Sequence, residues 1–184
     1  MLARGDDPPE PPASGGTHPP GPPLGRIWLG GPVLFDGYVD GGPGPDDGWF
    51  RTGDLGHIDA SRRLIVHGRA DDVINTGGFK VVPGEVEAAL QTCPGVKDVA
   101  VVGQPDPEWG ERVIAVVVPA DPADPPGLDL LRLHVQRRLP RYAAPSRVVI
   151  VDAVPLLLSG KHDIAGIRRE LLRREQTEAE SVTY

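Results

Sequence analysis

Two glycine-bracketed stretches divide this chain: Gly48-Trp49-Phe50-Arg51-Thr52-Gly53-Asp54-Leu55-Gly56, and Gly68-Arg69-Ala70-Asp71-Asp72-Val73-Ile74-Asn75-Thr76-Gly77-Gly78-Phe79-Lys80. Each reads as a turn that presents one charged residue, Asp54 and then Arg69, at the end of a short hydrophobic run. The residues before them read as a lead-in, and those beyond them as one compact domain. The junction is therefore read as a hinge.

Proline and glycine set the limits of the lead-in. The chain has 22 prolines and 24 glycines in 184 residues, and eight of the prolines fall in residues 1–25. Residues 1–23 cannot bury enough apolar surface to offset the entropy of ordering, so they read as a disordered or polyproline-like segment. They could dock a proline-recognising module or serve as a plain linker. A net charge of −7 argues against a nucleic-acid surface, which needs a basic face to displace counterions. Cys93 is the single cysteine, so no disulfide framework or cysteine-based zinc site is expected, and the setting reads as reducing and cytoplasmic. No apolar run approaches the roughly 20 residues of a membrane span, and the N-terminus lacks the apolar core of a signal peptide.

From Leu24 the pattern is short strands: Arg26–Leu29, Val33–Phe35, then Leu55–Asp59 paired antiparallel with Arg63–His67. This block, residues 24–68, is too small for its own core; residues 24–67 are expected to be poorly ordered, with Trp28, Phe35 and Trp49 exposed. Beyond Gly68 the signals strengthen. Pro83-Gly84-Glu85 opens a helix with Val86, Ala89, Leu90 and Cys93 on one face, and with Glu85 and Glu87 near its positive end. Val96–Val102 and Val113–Val118 read as strands joined by a loop at 104–110. A helix over Leu128–Leu139 stops at Pro140, and Arg147–Val151 reads as a buried strand because it barely alternates. Asp163 is a plausible cap for a last helix with Ile164, Ile167, Leu171 and Leu172 inward. Helix, strand, strand, helix, strand, helix makes residues 69–175 an α+β domain with helices packed on a small sheet, followed by a tail at 176–184.

Each chemical candidate has a plain structural alternative. Lys161, in Ser159-Gly160-Lys161, could bring a point charge to a phosphate or carboxylate, or could simply be solvated on a mobile loop. It is not a phosphate-loop lysine, because Pro155 and His162 stand where that motif needs glycine and Ser or Thr. Asp54 could accept hydrogen bonds from a ribose diol or bond its own turn. Arg69 could bind a nucleotide or form a weak surface ion pair. Gly77-Gly78 could admit a ligand to the backbone or make an ordinary hairpin turn. The histidines show no metal spacing, and no metal site is expected.

Taken in order, the two glycine-bracketed stretches, Pro83-Gly84-Glu85-Val86-Glu87 and Ser159-Gly160-Lys161 resemble the C-terminal part of the adenylate-forming family. That family comprises acyl-CoA synthetases, peptide-synthetase adenylation domains and luciferases. The run Gln104-Pro105-Asp106-Pro107-Glu108-Trp109-Gly110-Glu111-Arg112-Val113 is most similar to acyl-CoA ligases, the o-succinylbenzoate–CoA ligases in particular. The resemblance implies an ATP- and coenzyme A-dependent carboxylate ligase. Asp54 would hold the ribose of ATP and Arg69 the nucleotide. Asp71 would be the hinge, Lys161 the adenylation lysine, and Gly77 and Gly78 the lining of the pantetheine path. Residues 24–68 would be the last strands of a large N-terminal domain that carries the phosphate loop, the acyl pocket and most of the Mg2+ coordination.

On this reading the chain is inactive alone, takes a small carboxylic acid as substrate, and could pair with a separate N-terminal domain chain. It would bind neither nucleic acid nor membrane. The alternatives are a non-catalytic module that completes or regulates a partner ligase, and a peptide-synthetase remnant. The remnant is disfavoured because no carrier-domain serine follows Lys161.

Overall fold

The computed structural model of the protein describes residues 24–42 and 44–181, so the reading of residues 1–23 lies outside the described part. The chain divides after Asp71 into two compact units. The first is a three-stranded antiparallel sheet of β1 (Gly25–Gly30), β2 (Trp49–Ile58) and β3 (Leu64–Arg69), in that order. Among the described residues Ile27 is its only buried hydrophobic side chain, so the sheet has almost no core of its own. The turn between β2 and β3 is set by Asp59. Its carboxylate accepts the Ser61 and Arg63 amides at 2.9 and 2.8 Å, and Arg62 takes a positive φ of 61°.

Three local expectations fail in this unit. Val33–Phe35 is not a strand, because the Leu34 N–H bonds Gly31 O in a turn and leaves Val33 87% exposed. Phe35 instead meets Tyr38 and Phe50 edge-on, with ring centroids 4.8 and 4.9 Å away. Most of the first glycine-bracketed stretch is not a turn but strand β2, which starts at Trp49. Trp28 and Trp49 are half-buried rather than exposed, with the Trp49 ring lying over Gly30 and the Arg51 guanidinium 6.0 Å from the Trp28 ring centre.

The second unit is an α+β domain, as expected. After a hairpin of β4 (Ile74–Thr76) and β5 (Phe79–Val81) come α1 (Pro83–Leu90), β6 (Val96–Asp106), β7 (Gly110–Pro119), α2 (Leu128–Gln136), β8 (Arg147–Ile150) and α3 (Ile164–Ser181). The sheet order is β5-β4-β7-β6, with β8 parallel to β7 through the α2 crossover. Strands β6 and β7 read as near-continuous valine because both their faces are covered. One face packs Val99, Val101, Val113, Ala115 and Val117 against Val86 and Leu90 of α1 and Leu131 and Val135 of α2. The other packs Ala100, Val102, Ile114 and Val116 against Ile167 and Leu171 of α3. Burying Leu90, Leu131 or Ile114, all 0% exposed, contributes roughly 1.5–3 kcal/mol each.

The β6 and β7 strands absorb most of the expected 104–110 loop and leave only a tight turn at residues 107–109. Strand β8 is half-covered rather than buried, since its paired neighbour is β7 alone; Val149 is 9% exposed and Ile150 41%. Asp163 caps α3 through the Gly166 N–H at 2.8 Å. Ile167 and Leu171 face inward, but Leu172 is 41% exposed, and the helix runs past residue 175 to Ser181. No helix among the described residues is long and apolar enough to cross a membrane.

Glu87 does something other than face a helix terminus. Its carboxylate accepts the Val101 N–H of edge strand β6 at 2.8 Å, satisfying a donor the sheet leaves unpaired. Burial pushes the Glu87 carboxyl above the usual range, and the Val101 amide and His162 pull it back only in part.

Amide exchange in the isolated chain should be slowest along β6 and β7 and faster across β1–β3; equal protection would contradict the missing core of the first unit. A carboxyl whose folded pKa is raised favours the fold fully below its unfolded pKa, and loses that contribution as pH rises through the folded value. Glu87→Gln, which still accepts the Val101 N–H, should therefore match wild type in urea midpoint at about pH 4 and exceed it at about pH 7.5.

Candidate active site

In the first unit the pairing register places Asp54 opposite Arg69. Thr52 fixes this pair from beneath. Its buried hydroxyl donates to Ile27 O at 2.8 Å and accepts the Asp54 N–H at 3.1 Å, locking the backbone that carries the carboxylate. Nothing in the sequence singles out Thr52 for this role, although it stands inside the motif. The Arg69 guanidinium lies across Gly53, where a Cβ would come within 2.5 Å of Nη2. Arg69 reaches Asp54 at 3.9 Å and Asp71 at 3.6 Å, with the side chains 57%, 40% and 80% exposed respectively. Ion pairs this long and this exposed contribute little to stability, so a ligand can displace them cheaply. A carboxylate, which can accept from hydroxyls, and a guanidinium, which can donate to anions, stand side by side on paired strands.

His57 Nδ1 and His67 Nε2 also meet, at 2.7 Å across the same two strands. The sequence shows them as scattered histidines. A register shift between Leu55 and Gly56 lets His67 reach diagonally to His57. Among the described residues no group of three or more His, Cys, Asp or Glu side chains is placed to hold a metal ion.

The second unit carries Lys161 and the Gly77-Gly78 turn. Gly77 and Gly78 take φ of 56° and 81°, the two positive values of a tight two-residue hairpin between Thr76 and Phe79. Their neighbour is Trp109, at the β6–β7 turn. Its carbonyl accepts the Gly77 N–H at 2.8 Å, and its ring would lie 2.7 Å from a Cβ on Gly77. Glu111 accepts the Asn75 N–H at 2.8 Å, and Phe79 stacks on Tyr142 at 4.3 Å. The turn is thus braced on both sides while Trp109 remains 53% exposed beside it. The only sequence signal for Trp109 is its place in a turn-rich run between two strands.

Lys161 is not on an open loop. Leu157 N–H bonds Lys161 O at 2.8 Å, Gly160 N–H bonds Leu157 O at 2.9 Å, and Leu156 bridges His162. Asp163 N–H closes the base onto Pro155 O at 2.8 Å. The ammonium therefore projects into solvent from a clamped backbone. The structure brings Asp54, Arg69 and Asp71 together in one unit, and sets Lys161 and the glycine turn at separate places in the other.

Residues 85–161 match the family model of the AMP-binding enzyme C-terminal domain. A probable 2-succinylbenzoate–CoA ligase of Mycobacterium tuberculosis is 45% identical over 161 residues, covering 85% of this chain and 41% of that protein. Among solved structures, the amide bond synthetase McbA of Marinactinospora thermotolerans superposes with a TM-score of 0.75 at 37% identity, covering 86% of this chain and 33% of that one. The o-succinylbenzoate CoA synthetase of Bacillus subtilis, solved with its acyl-adenylate intermediate, gives 0.73 at 29% identity, covering 80% and 31%. The chain spans about two fifths of the length of the first of these relatives.

Alanine at Gly77 or at Gly78 should each cost about 1–2 kcal/mol in urea unfolding, the penalty for a left-handed residue with a Cβ. Gly77→Ala alone should move the Trp109 indole resonance, because open space surrounds Gly78. An unmoved indole would refute the packing described.

Proposed function

Because the chain belongs to the adenylate-forming enzymes through its AMP-binding C-terminal domain, we propose that it supplies the C-terminal part of an ATP-dependent carboxylate–CoA ligase. The observation that carries this reading is Lys161, an exposed ammonium on a backbone-clamped hairpin. Such a group can be delivered to a reacting centre and withdrawn without remodelling its own support. In the first half-reaction the substrate carboxylate attacks the α-phosphorus of ATP, forming the acyl-adenylate and releasing pyrophosphate. Lys161 stabilises the negative charge shared between carboxylate and α-phosphate. Asp54 accepts the ribose hydroxyls, and Arg69 holds the nucleotide.

Rotation about Asp71, which lies where the chain divides into its two units, then exchanges Lys161 for the Gly77-Gly78 turn. In the second half-reaction the coenzyme A thiol, giving up its proton, attacks the acyl carbonyl and AMP leaves. The glycines keep that path free of side chains, with the exposed face of Trp109 beside it. On this reading the Mg2+ accompanying ATP is held mainly by the portion of the relatives that this chain does not span. The same portion would supply the phosphate loop and the acyl pocket. The buried free thiol of Cys93 suits a reducing, cytoplasmic setting.

The purified chain should show no carboxylate-dependent pyrophosphate exchange until the N-terminal part of a related 2-succinylbenzoate–CoA ligase is added in trans. In the reconstituted enzyme Lys161→Ala should lower adenylation by about 10²–10³-fold, as loss of one charge-stabilising donor does. It should change thioester formation from supplied acyl-adenylate far less. Exchange by the chain alone, or equal loss in both steps, would sink the proposal.

A further inference from the structure

His162 directly follows Lys161 and forms the closing bridge of its hairpin with Leu156. Its Nε2 stands 3.4 Å from Asp98 Oδ2 at the start of β6, the imidazole 28% and the carboxylate 41% exposed. The other Asp98 oxygen already accepts the Val99 N–H at 2.8 Å, so the side chain is held with Oδ2 turned to the histidine. A second acid lies close. Glu87 of α1, tied to Val101 of the same strand, interacts electrostatically with His162 as well as with Asp72 and Asp98. Asp72 in turn pairs with Arg168 of α3 at 3.7 Å. The imidazole therefore meets the Asp98 carboxylate directly and feels the field of Glu87 from a second element, with Lys161 beside it in its own hairpin and Asp163 next in the chain.

We propose that His162 is a positioning residue for Lys161: protonated, it fastens the lysine hairpin to Asp98 on β6, and neutral, it releases that tether. The tether is a property of this unit alone; its bearing on catalysis rests on the reading of Lys161 as the adenylation lysine. The backbone bonds of the hairpin define its shape, but among the described residues the His162–Asp98 pair is the only ion pair joining it to the sheet. When the imidazole loses its proton the Coulombic part of that contact vanishes. Presentation of Lys161 thus acquires a dependence on the protonation of its neighbour.

The test is amide exchange of Leu157, Gly160 and Asp163 in the full-length chain from about pH 5.5 to about pH 8, corrected for intrinsic rates, the span in which an imidazole changes charge. Protection of these amides should fall about two- to fivefold across that span, the range of an exposed ion pair, while protection of Val116 in the core stays level. His162→Gln and Asp98→Asn should each remove the step. A step that persists in both variants, or that is absent from wild type, overturns the tether. In the enzyme reconstituted in trans, His162→Gln should flatten the pH profile of pyrophosphate exchange, whereas Lys161→Ala lowers it at every pH. Loss of the exchange step with an unchanged pH profile would overturn the positioning role. An intact exchange step in a reconstituted enzyme without activity would uphold the tether and refute the ligase reading.

Discussion

The long antiparallel ladder between β6 and β7 is the interaction on which the second unit depends. Its register runs without a break from Asp98 paired with Val118 to Asp106 paired with Gly110. Because side chains alternate along it, one ladder supplies the inner face of two hydrophobic clusters, one under α1 and α2 and one under α3. The same ladder places the residues that brace the candidate sites. Its turn sets Trp109 and Glu111 against the Gly77-Gly78 hairpin, and its far end offers Asp98 to His162. The packed core and the candidate sites at its rim come from one pairing register.

The candidate functional groups share a pattern: fixed backbone, exposed and weakly engaged side chain. Asp54 is held through Thr52 and Lys161 through the bonds of its hairpin. The ion pairs around Arg69 are long and largely solvated. Such groups are costly to misplace but cheap to recruit. The first unit carries the pattern furthest, with a well-defined strand register and almost no core beneath it.

Much of the second unit was legible in the sequence because its signals are local. Pro83 at the start of α1, Asp163 capping α3, the 3.6-residue spacing of Val86, Ala89 and Leu90, and the valine runs of β6 and β7 each act within a few residues. Three of the errors share a source. Val33–Phe35 and Arg147–Val151 are apolar runs of similar appearance, yet one is a turn and the other a half-covered strand. An apolar run records what could be buried and not which neighbour covers it, and Leu172 on α3 fails in the same way.

The sequence by itself carried the resemblance to an adenylate-forming C-terminal domain, in the order of the motifs around Asp54, Arg69 and Lys161. Tertiary structure alone decided what holds those residues. Thr52 under Asp54, Trp109 against Gly77 and Asp98 beside His162 are partners 2, 32 and 64 positions away in the chain. The last two meet only through strand pairing and hairpin closure. Spacing in sequence carries no trace of such contacts, because they are products of sheet register, and register is settled by the whole core at once.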